Sequence, residues 1–395
     1  MAYGQTQQTV SAQEAGRPQP QTSVEAAGGP FIRHAQPGRA SQYSVSGTAF
    51  GGLITQPLVA RPGYFRNFRI THQASGGVNG SVTVAAAADA PYNVSALTTL
   101  RDAFGTPLIV ADGYSASYLI PMLSGGFGLN NGTNFPQNLA SYSAISTGAT
   151  TGTGNFTYSY ALPLEFAKGY GVLSAANASL LPTLQFQMAA SSAVYTTAPG
   201  TVPTIATTVD CDFYWLPEGV NVEPPGLGTT RQYLLQQLNP TIGSASSARL
   251  QFPRLGGFLS EVTIIARNSA GTRIDEAYPT GSGRVQLYVD GVPMIDSTMN
   301  EIYDDMNIAY GFGTGVNNAT RPTGVISFSR KTSMAQQSLG LLDTGEAYLS
   351  TNPGTLLELN ITTSQTISSN APATLSALIG QVIPTGALIQ GLPEL

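Results

Sequence analysis

The sequence predicts an all-β protein made of two tandem, eight-stranded antiparallel sandwiches with short helices in the loops. Three observations predict it. Apolar and polar residues alternate with a period of two through most of the chain, glycines and prolines punctuate these runs, and the second half repeats the pattern of the first. Of 395 residues, 44 are glycine, 26 are proline and only 10% are charged, a turn-rich composition unlike that of a helical bundle. Apolar residues amount to 42%, enough to build sizeable cores.

Residues 1–42 are rich in Gln, Ala, Pro and Gly without apolar periodicity, and read as a flexible N-terminal arm. The first sandwich is expected over 43–217. There Phe68 and Ile70 alternate with Arg69 and Thr71, and Val82 and Val84 with Ser81 and Thr83. Leu184, Phe186 and Met188 alternate with Gln185 and Gln187, and Cys211, Phe213 and Trp215 with Asp212 and Tyr214. A linker follows at 218–228, where Glu223-Pro224-Pro225-Gly226 cannot continue a strand. The second sandwich is expected over 229–385, with alternating runs at Val262 and Ile264, at Val285, Leu287 and Val289, and at Leu357, Leu359 and Ile361. Each run marks a strand with one buried and one outward face. Two short helices are expected, one from Leu97, Leu100 and Phe104 and one from Met299, Ile302 and Met306, the second with Thr298 and Glu301 as a capping box.

The repeat is visible in aligned strings. Gly63-Tyr64-Phe65-Arg66-Asn67-Phe68-Arg69-Ile70 matches Gly257-Phe258-Leu259-Ser260-Glu261-Val262-Thr263-Ile264. Leu162-Pro163-Leu164-Glu165-Phe166 matches Val325-Ile326-Ser327-Phe328-Ser329, and Thr183-Leu184-Gln185-Phe186 matches Leu356-Leu357-Glu358-Leu359. The long Gly/Ser/Thr/Asn stretches 122–155 and 310–323 read as loops that face outward and touch neighbours. Residues 374–393 are nearly uncharged, but Pro384 and several glycines interrupt them, so a core strand followed by a packed tail at 386–395 is expected rather than a membrane span.

The chemistry-bearing residues are sparse. The two histidines, His34 in the arm and His72 at a strand end, lack the convergent partners of a triad or a zinc site. The single cysteine, Cys211, lies on an alternating strand and reads as a buried structural thiol. Asp210 with Asp212, Glu301 with Asp304 and Asp305, and Asp343 with Glu346 are the carboxylate groupings; none is ringed by aromatics, as a glycosidase cleft would be. Gly311-Phe312-Gly313-Thr314-Gly315 lacks the following Lys-Ser/Thr of a phosphate loop. No catalytic, cofactor-binding or metal residue is therefore assigned, and no cofactor is expected. The net charge of −5 without a basic block argues against direct nucleic-acid binding. One cysteine allows no internal disulfide, and the N-terminus lacks a basic start followed by an apolar core, so no secretory leader is expected. A surface so poor in charge predicts burial against copies of the same chain.

Arg231-Gln232-Tyr233 followed by Ala248-Arg249-Leu250-Gln251-Phe252-Pro253-Arg254-Leu255-Gly256-Gly257-Phe258-Leu259, with the turns Asp102-Ala103-Phe104-Gly105 and Val289-Asp290-Gly291, resembles the double jelly-roll major capsid proteins of tailless, membrane-containing, tectivirus-like bacteriophages. The resemblance is architectural and spans about 45–385. It implies two upright jelly rolls per chain and a non-enzymatic homotrimer with a pseudo-sixfold outline that tiles an icosahedral shell. It also implies contacts with neighbouring trimers and with minor capsid and vertex proteins, and terminal arms near an internal viral membrane. The location implied is the virion, after assembly in the host cytoplasm. The competing readings are a minor capsid, vertex or receptor-binding spike protein, and a lectin-like carbohydrate-binding sandwich.

Overall fold

The computed structural model of the chain describes residues 29–126, 142–166, 169–217, 220, 222–225, 227–242, 247–252, 256–279, 282–310, 321–329, 349–351, 354–362 and 373–383. A short helix α1 (Gly29–His34) leads into eight main strands, besides four of two or three residues: β1 (Gln36–Thr48), β2 (Leu53–Pro57), β3 (Tyr64–Ser75), β4 (Ser95–Arg101), β5 (Pro107–Ala111), β6 (Phe156–Pro163), β7 (Thr183–Met188) and β8 (Thr204–Trp215). One sheet has the order β1-β8-β3-β6 and the other β2-β7-β4-β5. The second half repeats the scheme with β9 (Thr230–Ile242), β10 (Ser247–Gln251), β11 (Phe258–Arg267), β12 (Arg284–Val289), β13 (Val292–Thr298), β14 (Val325–Ser329), β15 (Leu357–Thr362) and β16 (Ala373–Ile383). Its sheets run β9-β16-β11-β14 and β10-β15-β12-β13. In each half, strands distant in sequence interleave in the nested Greek keys of a jelly roll. The chain is a double jelly roll, as the sequence predicts.

The halves share a sheet. β5 pairs with β9 in parallel, Tyr233 opposite Ile109 and Leu234 opposite Val110. This short ladder fuses the β2-β7-β4-β5 sheet to the β9-β16-β11-β14 sheet in one nine-stranded sheet that also includes the short strand Leu349–Ser350. A parallel pair needs both faces covered, and β11 shows that they are. Val262 and Ile264 are buried, but so are Glu261 and Thr263 on the face expected to point outward. The Thr263 and Ser327 hydroxyls lie 2.8 Å apart, and the Tyr310 hydroxyl of helix α2 (Met299–Tyr310) lies 3.1 Å from Ser327. Arg231 donates to Glu261 at 2.6 Å, both side chains almost fully buried, and its guanidinium stacks 4.8 Å from the Tyr233 ring. Glu358, another residue on an expected outward face, is buried and accepts from Gln251 at 3.1 Å.

Other expectations need correction. Leu97, Leu100 and Phe104 do not form a helix. Thr98 and Thr99, β-branched and suited to a strand, sit in β4, with Leu100 fully buried and Phe104 exposed beyond the strand end. Asp102 ends that strand: its Oδ1 accepts from the Phe104 and Thr106 amides at 2.9 and 2.7 Å, and Gly105 takes φ +84°. Two helical turns of the first half come after β5, at Ser115–Leu119 and Met122–Gly126, the place that α2 occupies after β13; shorter ones lie at Tyr92–Val94 and Ser191–Val194. Val82 belongs to no ladder, and Val84 makes a lone bridge to Gly148. A bulge between Asp212 and Phe213 breaks the alternation in β8, so Tyr214 turns inward while Phe213 and Trp215 do not. α1 and β1 begin within the stretch expected as an arm, because Phe31 packs edge-on against Tyr64 and Tyr214. Residues 1–28, the expected tail at 386–395, and residues 127–141 and 311–320 of the two long loops lie outside the described residues.

His72 is neither at the surface nor at a strand end. It sits within β3, fully buried, with Nδ1 2.9 Å from the Thr207 hydroxyl and Nε2 3.4 Å from that of Tyr160, against Tyr158 and Phe186. Burial disfavours the imidazolium and lowers its pKa from 6.5 to about 3.

Two outcomes are expected. Between the unfolded and folded values, protons bind only the unfolded chain. Stability is therefore full above pH 6.5 and falls by about 1.4 kcal/mol per pH unit below it, down to the folded value. His72→Gln should flatten that acid limb in pH-dependent chemical denaturation, and an unchanged limb would contradict the assignment. Glu261→Ala, which strips the carboxylate from a buried guanidinium, should cost roughly 3 kcal/mol in the same assay.

Candidate functional site

Two regions stand out, a charged junction inside the chain and an exposed sheet face. The first is the junction between the jelly rolls. Asp89, from the connection between β3 and β4, is buried and receives Arg267 at the end of β11 and Arg273 just beyond it, the latter at 2.7 Å. Both guanidinium groups lie over the Tyr114 ring, at 5.7 and 4.2 Å. Asp112 stands 3.6 Å from Arg267 while its Oδ1 caps the following turn through the Ser115 amide. These charges tie the halves where the shared sheet ends. A cleft of about 430 Å³ opens beside them, walled mainly by small residues such as Ala88, Ala96, Gly113 and Ala270.

The second is the outer face of the β2-β7-β4 sheet. The register aligns Leu53, Gln187 and Leu97 in one row and Thr55, Gln185 and Thr99 in the next. Leu53 and Leu97 are 61% and 42% exposed, and neither row carries a charge. At the far side of the molecule β13 is an edge strand with Val292 and Met294 exposed. Pro293 removes one donor from that edge, and a register shift lies between its pairs with Leu287 and Tyr288, both devices that discourage open-ended strand addition.

The candidate residues from the sequence do not converge. His34 is exposed in α1, far in the fold from the core position of His72. Cys211 is buried, Gln42 Nε2 donates to its sulfur at 3.0 Å, and burial raises the thiol pKa. Asp212 receives Arg39 at 2.7 Å and Arg69 at 2.9 Å. Its burial favours the neutral form, but these bonds outweigh it and lower the carboxyl pKa. Glu301 closes the expected capping box, accepting from the Thr298 amide at 2.7 Å and its hydroxyl at 3.0 Å, which lowers its pKa. Asp305 is raised by burial and by the neighbouring charges of Asp304 and Glu301. Among the described residues no group of three His, Cys, Asp or Glu side chains could hold a metal ion; Asp343, Glu346 and Gly311–Gly315 lie outside them. The junction cluster was not foreseen, because its members lie far apart in sequence. The only sequence signal was two arginines close together in a chain with 17 Lys and Arg in all.

No family model and no curated protein matches the sequence. Solved structures do. The crystal structure of the major capsid protein of Sulfolobus Turreted Icosahedral Virus aligns with a TM-score of 0.61 at 14% identity, over 90% of this chain and all of that one. A chain from the atomic structure of the same virus gives 0.59 at 14% identity, over 91% of this chain and 94% of that one. The major capsid protein P2 from Bacteriophage PM2 gives 0.45 at 11% identity, over 89% and 99%. At such identities the likeness is one of fold: this chain has the double jelly roll found in viral major capsid proteins.

Proposed function

We propose that the chain is a structural major capsid protein that forms pseudo-hexameric homotrimers tiling an icosahedral viral shell. The observation that carries this reading is the fusion of two similarly built jelly rolls through a parallel β5–β9 contact. That contact makes the lobes stand side by side in the same sense, so three copies around an axis present six similar lobes. Two uncharged rows on the outer β2-β7-β4 face, with Arg101 in the row beyond them, and the low overall charge support it, since such surfaces favour burial against another copy. Assembly is the mechanism, and no catalytic step, cofactor or nucleic-acid contact enters. Neighbouring trimers, minor capsid and vertex proteins, and an internal viral membrane reached by the terminal arms complete the set of partners. The place of action is the virion, after assembly in the host cytoplasm. A lectin-like role is disfavoured by the junction cleft, whose one aromatic wall residue, Tyr114, is 2% exposed and cannot serve as a stacking platform.

Mass photometry with negative-stain imaging tests the reading. Particles of three times the 41.1 kDa chain mass with hexagonal outlines are expected; elongated trimers would favour a spike, and a stable monomer would refute the proposal. A second test addresses the uncharged face. Leu53→Glu combined with Leu97→Glu should shift assembly to at least about tenfold higher protein concentration, while the unfolding free energy of the chain changes by no more than about 1 kcal/mol, as surface substitutions do.

A further inference from the structure

The buried apolar residues of the chain do not form one core. Most belong to a continuous cluster that runs through both jelly rolls. Phe31, Val172 and Tyr214 form a separate cluster outside it, with Tyr64, Leu216 and Val222 among the partly buried residues packed against it. Its members come from α1, from the β6–β7 connection, from the ends of β3 and β8, and from the start of the linker between the lobes.

The floor of this cluster is built without α1. The Tyr214 hydroxyl donates to Glu165 at 2.8 Å, and Arg66 lies over the Tyr214 ring at 4.3 Å. Glu165 also accepts from Arg66 Nε at 2.7 Å and from the Gly169 amide at 2.8 Å. Leu173, next to Val172, pairs with Phe65 of β3. These contacts hold an apolar socket in shape whether or not Phe31 fills it. Gly169, at φ +82°, lets the roof close: a Cβ there would stand 2.7 Å from Pro225 of the linker and 3.3 Å from Phe31.

α1 is held far less firmly than the floor beneath it. It has six residues, and an isolated helix needs about 12 or more to persist. Phe31 is 1% exposed, edge-on to Tyr64 and Tyr214, but Ile32 is only partly buried and Arg33 and His34 are exposed. One ring has to offset the ordering of six residues, and the two effects are of similar size. β8 is anchored differently, with Cys211 fully buried and paired on both sides, to Ala40 of β1 and Phe68 of β3. Segments with few buried contacts open at a lower free energy than the core.

We propose that α1 is a strap that opens and closes over this socket while both jelly rolls stay folded, hinged at Gln36, where pairing with Trp215 begins. Opening bares Val172, Tyr64 and Tyr214 and removes the ring against which the linker packs at Val222. The strap and the linker between the lobes are therefore released together. This motion belongs to the single chain and does not depend on the shell reading.

The test compares two thiols in one chain. Val172→Cys places a thiol under the strap, and the native Cys211 reports on the main core. Under native conditions a thiol-reactive dye should label the introduced thiol at least about tenfold faster than Cys211. Adding Phe31→Ala should raise that rate a further tenfold, roughly, and leave Cys211 unchanged. Hydrogen exchange of the unsubstituted chain gives a second readout: the Ala35 amide, which donates to the Phe31 carbonyl at 2.7 Å, should exchange ahead of the amides of β3 and β8. Equal rates at the two thiols, a rate indifferent to Phe31→Ala, or an Ala35 amide as protected as those of β8 would each overturn the strap, whatever particle mass the chain assembles to.

Discussion

The parallel contact between β5 and β9 sets the geometry of the whole molecule. It consists of two aligned residue pairs, yet it sets the relative direction of sixteen main strands, because ladders and a common core hold the strands of each jelly roll together. A parallel ladder this short is weak by itself. Its neighbours compensate: Tyr233, one of the paired residues, is fully buried with Arg231 over its ring, and Asp89 clamps Arg267 and Arg273 across the same boundary. The joint is a composite of backbone pairing, aromatic burial and charge.

Charge is scarce in this chain, and much of it is committed internally. Arg231 with Glu261, Arg39 and Arg69 with Asp212, Arg66 with Glu165, and Arg321 with Asp275 are all ion pairs between segments distant in sequence. Buried pairs add little net stability over an apolar replacement. A shifted register, however, would leave the same charges buried and unmatched. Their effect is to penalise wrong pairings in a fold whose sixteen strands resemble one another. The exterior is correspondingly sparse in charge, which lowers the electrostatic cost of bringing identical surfaces together.

The architecture was legible in the sequence because period-two alternation and turn residues are local signals. The matched strings containing Phe68 and Val262, Leu162 and Val325, and Leu184 and Leu357 fall on equivalent strands of the two halves, β3 and β11, β6 and β14, β7 and β15. The Asp102 and Asp290 turns likewise fall on the equivalent hairpins. What misled was spacing without context. Leu97, Leu100 and Phe104 fit a helix on paper, but Phe104 faces solvent and Thr98 and Thr99 favour an extended backbone. The burial of Glu261 and the interior place of His72 were illegible, because both follow from layers added by remote parts of the chain. The same holds for the junction cluster, assembled from Asp89, Tyr114, Arg267 and Arg273. A contact surface has no motif at all, and composition was its only trace.

The shared sheet makes the tandem arrangement hard to undo. Severing the chain between β8 and β9 would not release two self-sufficient modules. The first would be left with the naked rim of β5, where Ile109 and Val110 lose their companions, and the second with that of β9. Each rim is an adhesive template of the kind that seeds aggregation, and Asp89 would be stranded away from both of its guanidinium partners. The tandem arrangement thus conceals two strand edges that a solitary lobe would leave open to solvent.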